Sequence, residues 1–103
     1  MNKYIYHFVL PDELEKFLGK SHYTVDSLKE EGFIHCCFEE QIPIIKQRYY
    51  ADWHAVNILK IKVDSLTAVM KVETIKNGEK YPHIFGKINM DAVAEVMVYP
   101  QSK

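Results

Sequence analysis

The alternation of apolar and polar positions along the chain predicts short strands separated by short helices. Residues 4–9 form an aromatic and β-branched run, which is typical of a strand. Pro11 then opens a helix and Gly19 ends it, because proline suits the first helical turn and glycine suits the residue after the last. A second strand over residues 33–38 and a helix over residues 40–50 complete the elements of this half.

The second half of the chain predicts strands almost throughout. Residues 59–63 alternate apolar side chains with lysines, which is the pattern of a strand with one face in water. Residues 69–75 and 80–85 are predicted to be the two arms of a hairpin, because the Asn-Gly pair between them is a strong turn signal. Pro82 cannot donate a ladder hydrogen bond, so the second arm is predicted to lie at a sheet edge or to carry a bulge.

Two smaller features complete the predicted fold. Residues 27–31 form a helical turn capped by Asp26, and a turn at residues 91–93 precedes a last strand that ends near Tyr99. The pattern as a whole predicts a single α+β domain over residues 1–103. It has a small antiparallel core of about six strands and two or three short helices, with the helices in the first half.

Composition and charge narrow the classes of protein. Thirteen basic and fourteen acidic residues give a net charge of −1, which is no signature of a nucleic-acid-binding surface. No apolar run approaches the roughly 18 residues that a membrane span needs, and we identify no signal peptide. The two cysteines, Cys36 and Cys37, are adjacent in the sequence, so we expect no disulfide bond between them. We expect them instead to be buried thiols. We therefore expect a cytoplasmic protein without a membrane partner.

Three histidines lie within apolar, strand-like segments, where a titratable ring is unusual. His35 lies in the string Gly-Phe-Ile-His-Cys-Cys and His83 in the string Tyr-Pro-His-Ile-Phe-Gly, while His7 belongs to the first predicted strand. An imidazole can donate, accept or bind a metal near neutral pH. A single histidine in a strand is usually structural, but three in similar settings predict a shared pocket. His22 and His54 lie in polar segments and are predicted to be surface residues.

The order of these strings resembles a small bacterial family of unknown function. The resemblance rests on the first Tyr-His pair, the string at 32–36, the Glu-Gln pair at 40–41, Glu73, and the string at 81–86. It runs from residue 4 to about residue 98. The family is grouped with the ADP-ribosyltransferase-like superfamily, and the resemblance implies two small antiparallel sheets split by a cleft that holds NAD.

The resemblance also implies roles for the three histidines. It places His7, His35 and His83 at three motif positions that face the nicotinamide-ribose end of the cleft. Many transferases of the superfamily carry a glutamate at the third position, where this chain has His83. This difference argues against a protein acceptor. Three possibilities stay open: hydrolysis of NAD, binding of NAD without reaction, and transfer to an acceptor that is a small molecule or a nucleic acid.

The chemistry of such a site can be argued from the residues. Cleavage of an N-glycosidic bond passes through an oxocarbenium-like state, which a protein favours by fixing ribose hydroxyls and orienting the base. Imidazole suits the hydroxyls, because it can donate at one nitrogen and accept at the other. Glu73 is a candidate for the missing carboxylate if the hairpin brings it opposite His83, and Tyr81 and Phe85 are expected to stack on a planar base. The catalytic candidates are His7, His35, Glu73 and His83; the cofactor-binding candidates are His7, His35, Tyr81 and Phe85.

Two other classes of function stay open. Three histidines, or two with Glu73, are a ligand set for zinc or iron, although no closely spaced histidine pair supports it. A non-catalytic module that binds a nucleotide or another small anion also accounts for a polar cleft. Arg48, the single arginine, suits a pyrophosphate but equally suits a solvated helix face. The sequence leaves the oligomeric state open.

Overall fold

The strands of the protein pair into three antiparallel sheets. Residues 3–99, which the computed structural model describes, form eight strands and three α-helices. In chain order these are β1 (Tyr4–Val9), α1 (Pro11–Glu15), β2 (His22–Tyr23), α2 (Asp26–Glu31), β3 (Ile34–His35), α3 (Ile42–Tyr49), β4 (Val56–Lys62), β5 (Met70–Thr74), β6 (Lys80–Ile84), β7 (Ile88–Asn89) and β8 (Val93–Tyr99). The α+β class, the antiparallel sheets and the short helices agree with the prediction. Within the described residues no helix has the length and apolarity that a membrane crossing requires.

The two larger sheets are joined at one point. Strand β4 lies between β1 and β8 in the first sheet, and β6 lies between β3 and β5 in the second, while β2 and β7 form a small pair. A bridge between Tyr6 and Cys37 connects β1 to the chain just after β3. In it the N–H of each residue donates to the carbonyl of the other, at 2.8 and 2.7 Å. The sheets are thus adjacent but not one continuous ladder, and a split lies between them.

Apolar side chains cover both faces of β1. Ile5 and Val9 pack into a larger cluster with residues of α1, β3, β4 and β6. Tyr6 and Phe8, which alternate with them, pack into a second cluster that includes Ile42 at the start of α3. Fully burying a side chain of this size contributes roughly 1.5–3 kcal/mol, so both clusters hold the split sheets in place.

Several predicted boundaries need correction. Asp26 lies in the first turn of α2 and makes no side-chain cap, because Val25 occupies the N-cap position. Gly32 ends α2, with a φ of +90° that favours glycine. The second strand is shorter than residues 33–38, since β3 covers Ile34–His35 and the chain then turns to bridge β1. The strand count is eight rather than six because β2 and β7 are two-residue strands, too short to show a pattern.

The predicted position of Pro82 is wrong. Strand β6 is the central strand of its sheet, and its register with β5 runs without a bulge. Phe85 donates its N–H to the carbonyl of Val69, the residue before β5, so the backbone groups of Pro82 point to the opposite neighbour, β3. The carbonyl of Pro82 accepts the N–H of Cys36 at 3.2 Å, and the regular pairing with β3 ends at His35 and His83. The backbone N–H that Pro82 lacks is therefore not needed, because β3 leaves the ladder at this point.

Candidate functional site

A cleft of about 510 Å³ opens beside the bridge between the two sheets. Ring-bearing side chains dominate its lining, which includes four tyrosines and three histidines among the described residues. These are Tyr6, His7, His35, Tyr49, Tyr50, Tyr81 and His83. The other lining residues are Phe8, Val25, Ser27, Cys36, Cys37, Ile45 and Ile75. A volume in this range is that of an ordinary small-molecule site, about 300–1,000 Å³.

The structure brings His35 and His83 into contact. They are directly paired across β3 and β6, and their ring centroids lie 5.5 Å apart with an interplanar angle of 76°. His83 is buried whereas His35 is exposed. Since residues directly opposite each other in adjacent strands point to the same face of a sheet, both imidazoles belong to the wall of the cleft.

A glutamate fixes the ring of His83. The Nδ1–H of His83 donates to Oε1 of Glu73 at 2.7 Å. Lys71, not Glu73, is directly opposite His83 in the ladder, so this carboxylate reaches the ring diagonally. Glu73 itself does not line the cleft. Its hydrogen bond leaves the Nε2 lone pair of a neutral ring as the free acceptor.

The free nitrogen of His83 is accessible. Within residues 3–99, Nε2 makes no hydrogen bond, and every fully buried side-chain nitrogen or oxygen has a partner. Nε2 therefore retains some exposed surface even though His83 as a whole is only 4% exposed. A cleft-lining imidazole with one nitrogen held by a carboxylate and the other free is arranged for acid–base chemistry or for binding a hydroxyl.

Phe33 is a site residue that the sequence analysis missed. Its ring stacks on His83 with centroids 4.0 Å apart and contacts His35 edge-on at 4.8 Å. The ring of Phe33 also meets that of Phe85, with centroids 5.7 Å apart. The signal was present, because Phe33 and His35 are two residues apart and share a strand face.

The two expected stacking residues have different positions. Tyr81 lines the cleft, in agreement with its proposed place there. Phe85 is not among the lining residues. It follows the end of β6 and is exposed, with its ring centroid 5.7 Å from that of Phe33 and 5.4 Å from the ammonium of Lys71. The structure thus places Phe85 beside Phe33 rather than in the wall of the cleft, and stacking of Phe85 on a ligand stays a prediction.

His7 lines the cleft, but both of its nitrogens are occupied within the protein. Its Nδ1–H donates to the carbonyl of His35 at 2.6 Å, and the hydroxyl of Tyr23 donates to Nε2 at 2.8 Å. A carbonyl only accepts, so Nδ1 carries the hydrogen. Burial lowers the pKa of His7 to about 4, which keeps the ring neutral at pH 7. In this arrangement His7 ties β1 to β3, and the predicted binding of a ligand hydroxyl requires the ring to exchange one of these two partners.

The remaining sequence candidates are accounted for by ordinary contacts. Cys36 and Cys37 are both buried because each face of this segment meets one of the two apolar clusters. Burial, and then the nearby charge of Glu40, raises the pKa of Cys37 to about 12, so it is no thiolate at neutral pH. Arg48 donates to Glu79 at 3.0 Å and is not a lining residue. His22 and His54 are exposed, as predicted.

A metal site receives no geometric support from the described residues. Among residues 3–99 no group of three or more His, Cys, Asp or Glu side chains is arranged to hold a metal ion. His7 has no free nitrogen, and Nε2 of His35 donates to Glu31 at 3.1 Å. The ring nitrogens that remain free, Nδ1 of His35 and Nε2 of His83, are too few for a ligand set of three.

The fold and the cleft define a small α+β domain with a histidine- and tyrosine-lined site between two antiparallel sheets. A family model described as "Protein of unknown function (DUF952)" matches residues 8–96, and the chain belongs to this family. The matched range includes His35, Glu73 and His83.

One solved protein of similar structure is CC0527 from Caulobacter crescentus. Its crystal structure superposes with a TM-score of 0.71 at 21% identity, covering 92% of this chain and 84% of that one. A double mutant of CC0527 gives the same TM-score at 20% identity. At this identity the likeness shows the fold alone. No curated protein matches the chain.

Proposed function

We propose that the cleft binds NAD or a related nucleotide through its nucleoside part, and that the protein transfers an ADP-ribosyl or phosphate group from it. The observation that carries this proposal is the pair formed by Glu73 and His83. The carboxylate holds Nδ1–H, Nε2 keeps some exposed surface, and His83 lines a cleft large enough for a nucleoside. This is the arrangement by which a carboxylate orients an imidazole for proton transfer.

His35 supplies a second imidazole beside the first. Glu31 accepts the Nε2–H of His35, which leaves Nδ1 without a partner within residues 3–99. The two rings, 5.5 Å apart, thus each present one free nitrogen. Two neighbouring hydroxyls, as on a ribose, suit such a pair, because each ring nitrogen can donate or accept according to its protonation.

The lining of the cleft supports a planar ligand. The rings of Tyr49, Tyr50 and Tyr81 lie in the wall, and aromatic faces stack favourably on a base. A volume of about 510 Å³ accommodates a nucleoside more readily than an entire dinucleotide, so the rest of NAD would extend from the mouth. The split between two antiparallel sheets also agrees with what the resemblance to the ADP-ribosyltransferase-like superfamily implies.

A second candidate function is binding without turnover. Within the described residues the lining contains no aspartate or glutamate, and Glu73 is engaged by His83 outside it. A carboxylate beside the ribose is the group that would stabilise an oxocarbenium-like state. Its absence from the lining favours a module that holds a nucleotide without cleaving the glycosidic bond.

Calorimetric titration with NAD, ADP-ribose and nicotinamide tests the proposal. The native protein is expected to bind NAD saturably, and His83→Gln is expected to weaken binding at least tenfold. His54→Gln is the matched control, because His54 is exposed and does not line the cleft. No binding of NAD or ADP-ribose at millimolar concentration would overturn the proposal.

A nicotinamide-release assay on the same proteins separates the two candidate functions. Release of nicotinamide that disappears in His83→Gln supports the enzyme. Saturable binding without release, in the presence of water and of added acceptors, supports the module.

A further inference from the structure

Strands β5 and β8 are the open ends of the two larger sheets within residues 3–99. Strand β5 ends the order β3-β6-β5, and β8 ends the order β1-β4-β8. At the opposite ends, β1 is bridged to Cys37 and β3 is a strand of only two residues. The open side of an end strand presents a row of N–H and C=O groups, with which another strand can pair.

The hydrogen bonds that flank β5 show which of its residues face outward. Phe85 donates its N–H to the carbonyl of Val69, and Ile75 donates its N–H to the carbonyl of Glu79. Both contacts continue the register of β5 with β6, so the odd-numbered residues of β5 direct their backbone groups to β6. The even-numbered residues direct theirs away from the sheet. These are Met70, Val72 and Thr74.

The sequence of β5 is complementary to itself when it is read in the opposite direction. Lys71 and Glu73 lie on either side of Val72, at the middle of the strand. When two β5 strands pair antiparallel about Val72, Lys71 of each strand is directly opposite Glu73 of the other. Each outward-facing residue also meets an outward-facing residue of the second strand, as the ladder of an antiparallel pair requires. Opposite charges that face each other in this way stabilise the pair.

The neighbouring registers are unfavourable. A pairing centred on Lys71 places two lysines directly opposite each other, and one centred on Glu73 does the same with two glutamates, which destabilises the pair. Both shifts also move an outward-facing residue beyond the end of the other strand. A pairing centred between two residues opposes outward-facing groups to inward-facing ones. The pairing about Val72 is therefore the one that satisfies both the charges and the backbone.

The side chains that would form this contact are available for it. Glu73 accepts the Nδ1–H of His83 with Oε1, and the side chain of Glu73 is 43% exposed. Lys71 is exposed, and among the described residues its ammonium takes part in no ion pair. Val72 is 50% exposed in the single chain. Pairing would thus cover an apolar side chain at the centre and join opposite charges on both sides of it.

Strand β8 does not offer the same complementarity. Its ladder with β4 is interrupted by a register shift between Lys60 and Ile61. Irregularities of this kind protect an edge strand against pairing with another chain. The one charged residue of β8 is Glu95, and the strand contains no basic residue to face it. A second copy of the chain is therefore better fitted by β5 than by β8.

We propose that two copies of this chain pair through the outer edges of β5, antiparallel about Val72, and that Glu73 of each copy binds the partner's Lys71. The contact is isologous, so it forms twice about one twofold axis. This inference does not depend on the proposed function. It gives Glu73 two partners, His83 of its own copy and the partner's Lys71, so the dimer fixes the carboxylate that orients His83 in the cleft.

Sedimentation equilibrium of the native protein is the first test. A contact between two short strand edges belongs to the small, weak class of interfaces, so the dimer is expected to depend on concentration. A series from about 1 μM to about 1 mM covers the corresponding dissociation constants. A protein that stays monomeric over the whole series would overturn the proposal.

Charge reversal tests the pairing of Lys71 with Glu73. Lys71→Glu and Glu73→Lys are each expected to raise the dissociation constant about tenfold or more, because both symmetric pairs then carry like charges. An equimolar mixture of the two variants is expected to dimerise as the native protein does, since each copy then offers the charge that the other lacks. Native dimerisation by either variant alone, or dissociation that the mixture does not reverse, would contradict the proposal.

Substitutions of exposed residues test the edge and the register without touching Glu73. Val72→Lys, which places two lysines at the twofold axis, is expected to abolish the dimer. Val96→Lys, at a valine of similar exposure on β8, is the matched control and is expected to retain it. The reverse result would assign the interface to β8 and overturn the proposal.

A disulfide then reports the register directly. Residues paired at the twofold axis have Cα atoms about 5.5 Å apart, which a disulfide spans, so Val72→Cys is expected to cross-link the dimer under mild oxidation. Thr74→Cys is the control, because Thr74 faces the partner's Met70 and lies far from its own counterpart. The native thiols Cys36 and Cys37 are buried. Cross-linking of Thr74→Cys but not of Val72→Cys would refute the register.

Discussion

His7 donates its Nδ1 hydrogen to the backbone carbonyl of His35 at 2.6 Å, across the split between β1 and β3. The bond joins a side chain of one sheet to the main chain of the other. It also fixes the segment that presents the His35 imidazole to the cleft. His7 therefore influences the site through position, while its own ring has no nitrogen left for a ligand.

The depressed pKa of His7 predicts a loss of stability in acid. Burial lowers its pKa from 6.5 to about 4, so between these pH values the unfolded chain takes up a proton that the folded chain does not. The free energy of unfolding is highest above pH 6.5 and falls as the pH is lowered toward 4. For this group alone the loss amounts to about 3 kcal/mol. Urea denaturation between pH 7.5 and 4 measures it.

A variant of His7 separates the effect of its titration on stability from that of the carboxylates that titrate in the same pH range. His7→Gln is expected to be less stable at pH 7.5 but to show a shallower decline toward pH 4. His54→Gln, which alters an exposed histidine, is expected to follow the native curve. Parallel curves for the native protein and His7→Gln would contradict the assignment.

The contact between Phe33 and His83 predicts a specific effect on the imidazole. Phe33→Leu removes a stacked ring, which costs about 1 kcal/mol of stability, and leaves His83 freer to rotate. Nitrogen chemical shifts of the His83 ring are expected to move from those of the Nδ1–H form toward a mixture of tautomers. Phe85→Leu is the control, because Phe85 contacts Phe33. Unchanged shifts in Phe33→Leu would show that Glu73 alone holds the ring.

Removal of the Glu73 charge separates binding from proton transfer. Glu73→Gln keeps an oxygen that accepts from Nδ1–H but no longer stabilises an imidazolium, so it is expected to lower any nicotinamide release at least tenfold. NAD affinity is expected to change less than threefold. Glu95→Gln, on the exposed surface of β8, serves as the comparison. A matching loss of affinity and release would instead indicate that Glu73 shapes the cleft.

The burial of both thiols predicts that they are unreactive in the folded protein. Burial raises the pKa of Cys36 as well as that of Cys37, so neither supplies a thiolate at pH 8. An aromatic disulfide reagent is expected to label both cysteines rapidly in urea and neither, on the same timescale, in buffer. Rapid labelling of one cysteine without denaturant would refute this expectation.

Local sequence patterns predicted the longer strands and the helices, but not which strands lie next to each other in the sheets. The apolar run at residues 4–9 coincides with β1, and the helices begin and end within a few residues of their predicted bounds. Propensity and capping act over a few residues, so the sequence shows them. The position of Pro82 in a central strand depends on where β3 leaves the ladder, which is a long-range event without a local signal.

The site was predictable in part for the same reason. Histidines within apolar strands are conspicuous, and His35 and His83 do lie side by side. The residues around His7 in the sequence do not show that its two ring nitrogens bind the hydroxyl of Tyr23 and a backbone carbonyl, since these partners come from distant segments. Phe33 was overlooked because an aromatic residue in an apolar strand looks like ordinary core.

The bridge between Tyr6 and Cys37 marks the junction of the two larger sheets. Within residues 3–99 the backbones of the two larger sheets are joined through this one pair of hydrogen bonds, beside which the cleft lies. The amide hydrogens of Tyr6 and Cys37 therefore report local opening of this junction, and a ligand held by both sheets is expected to slow their exchange together.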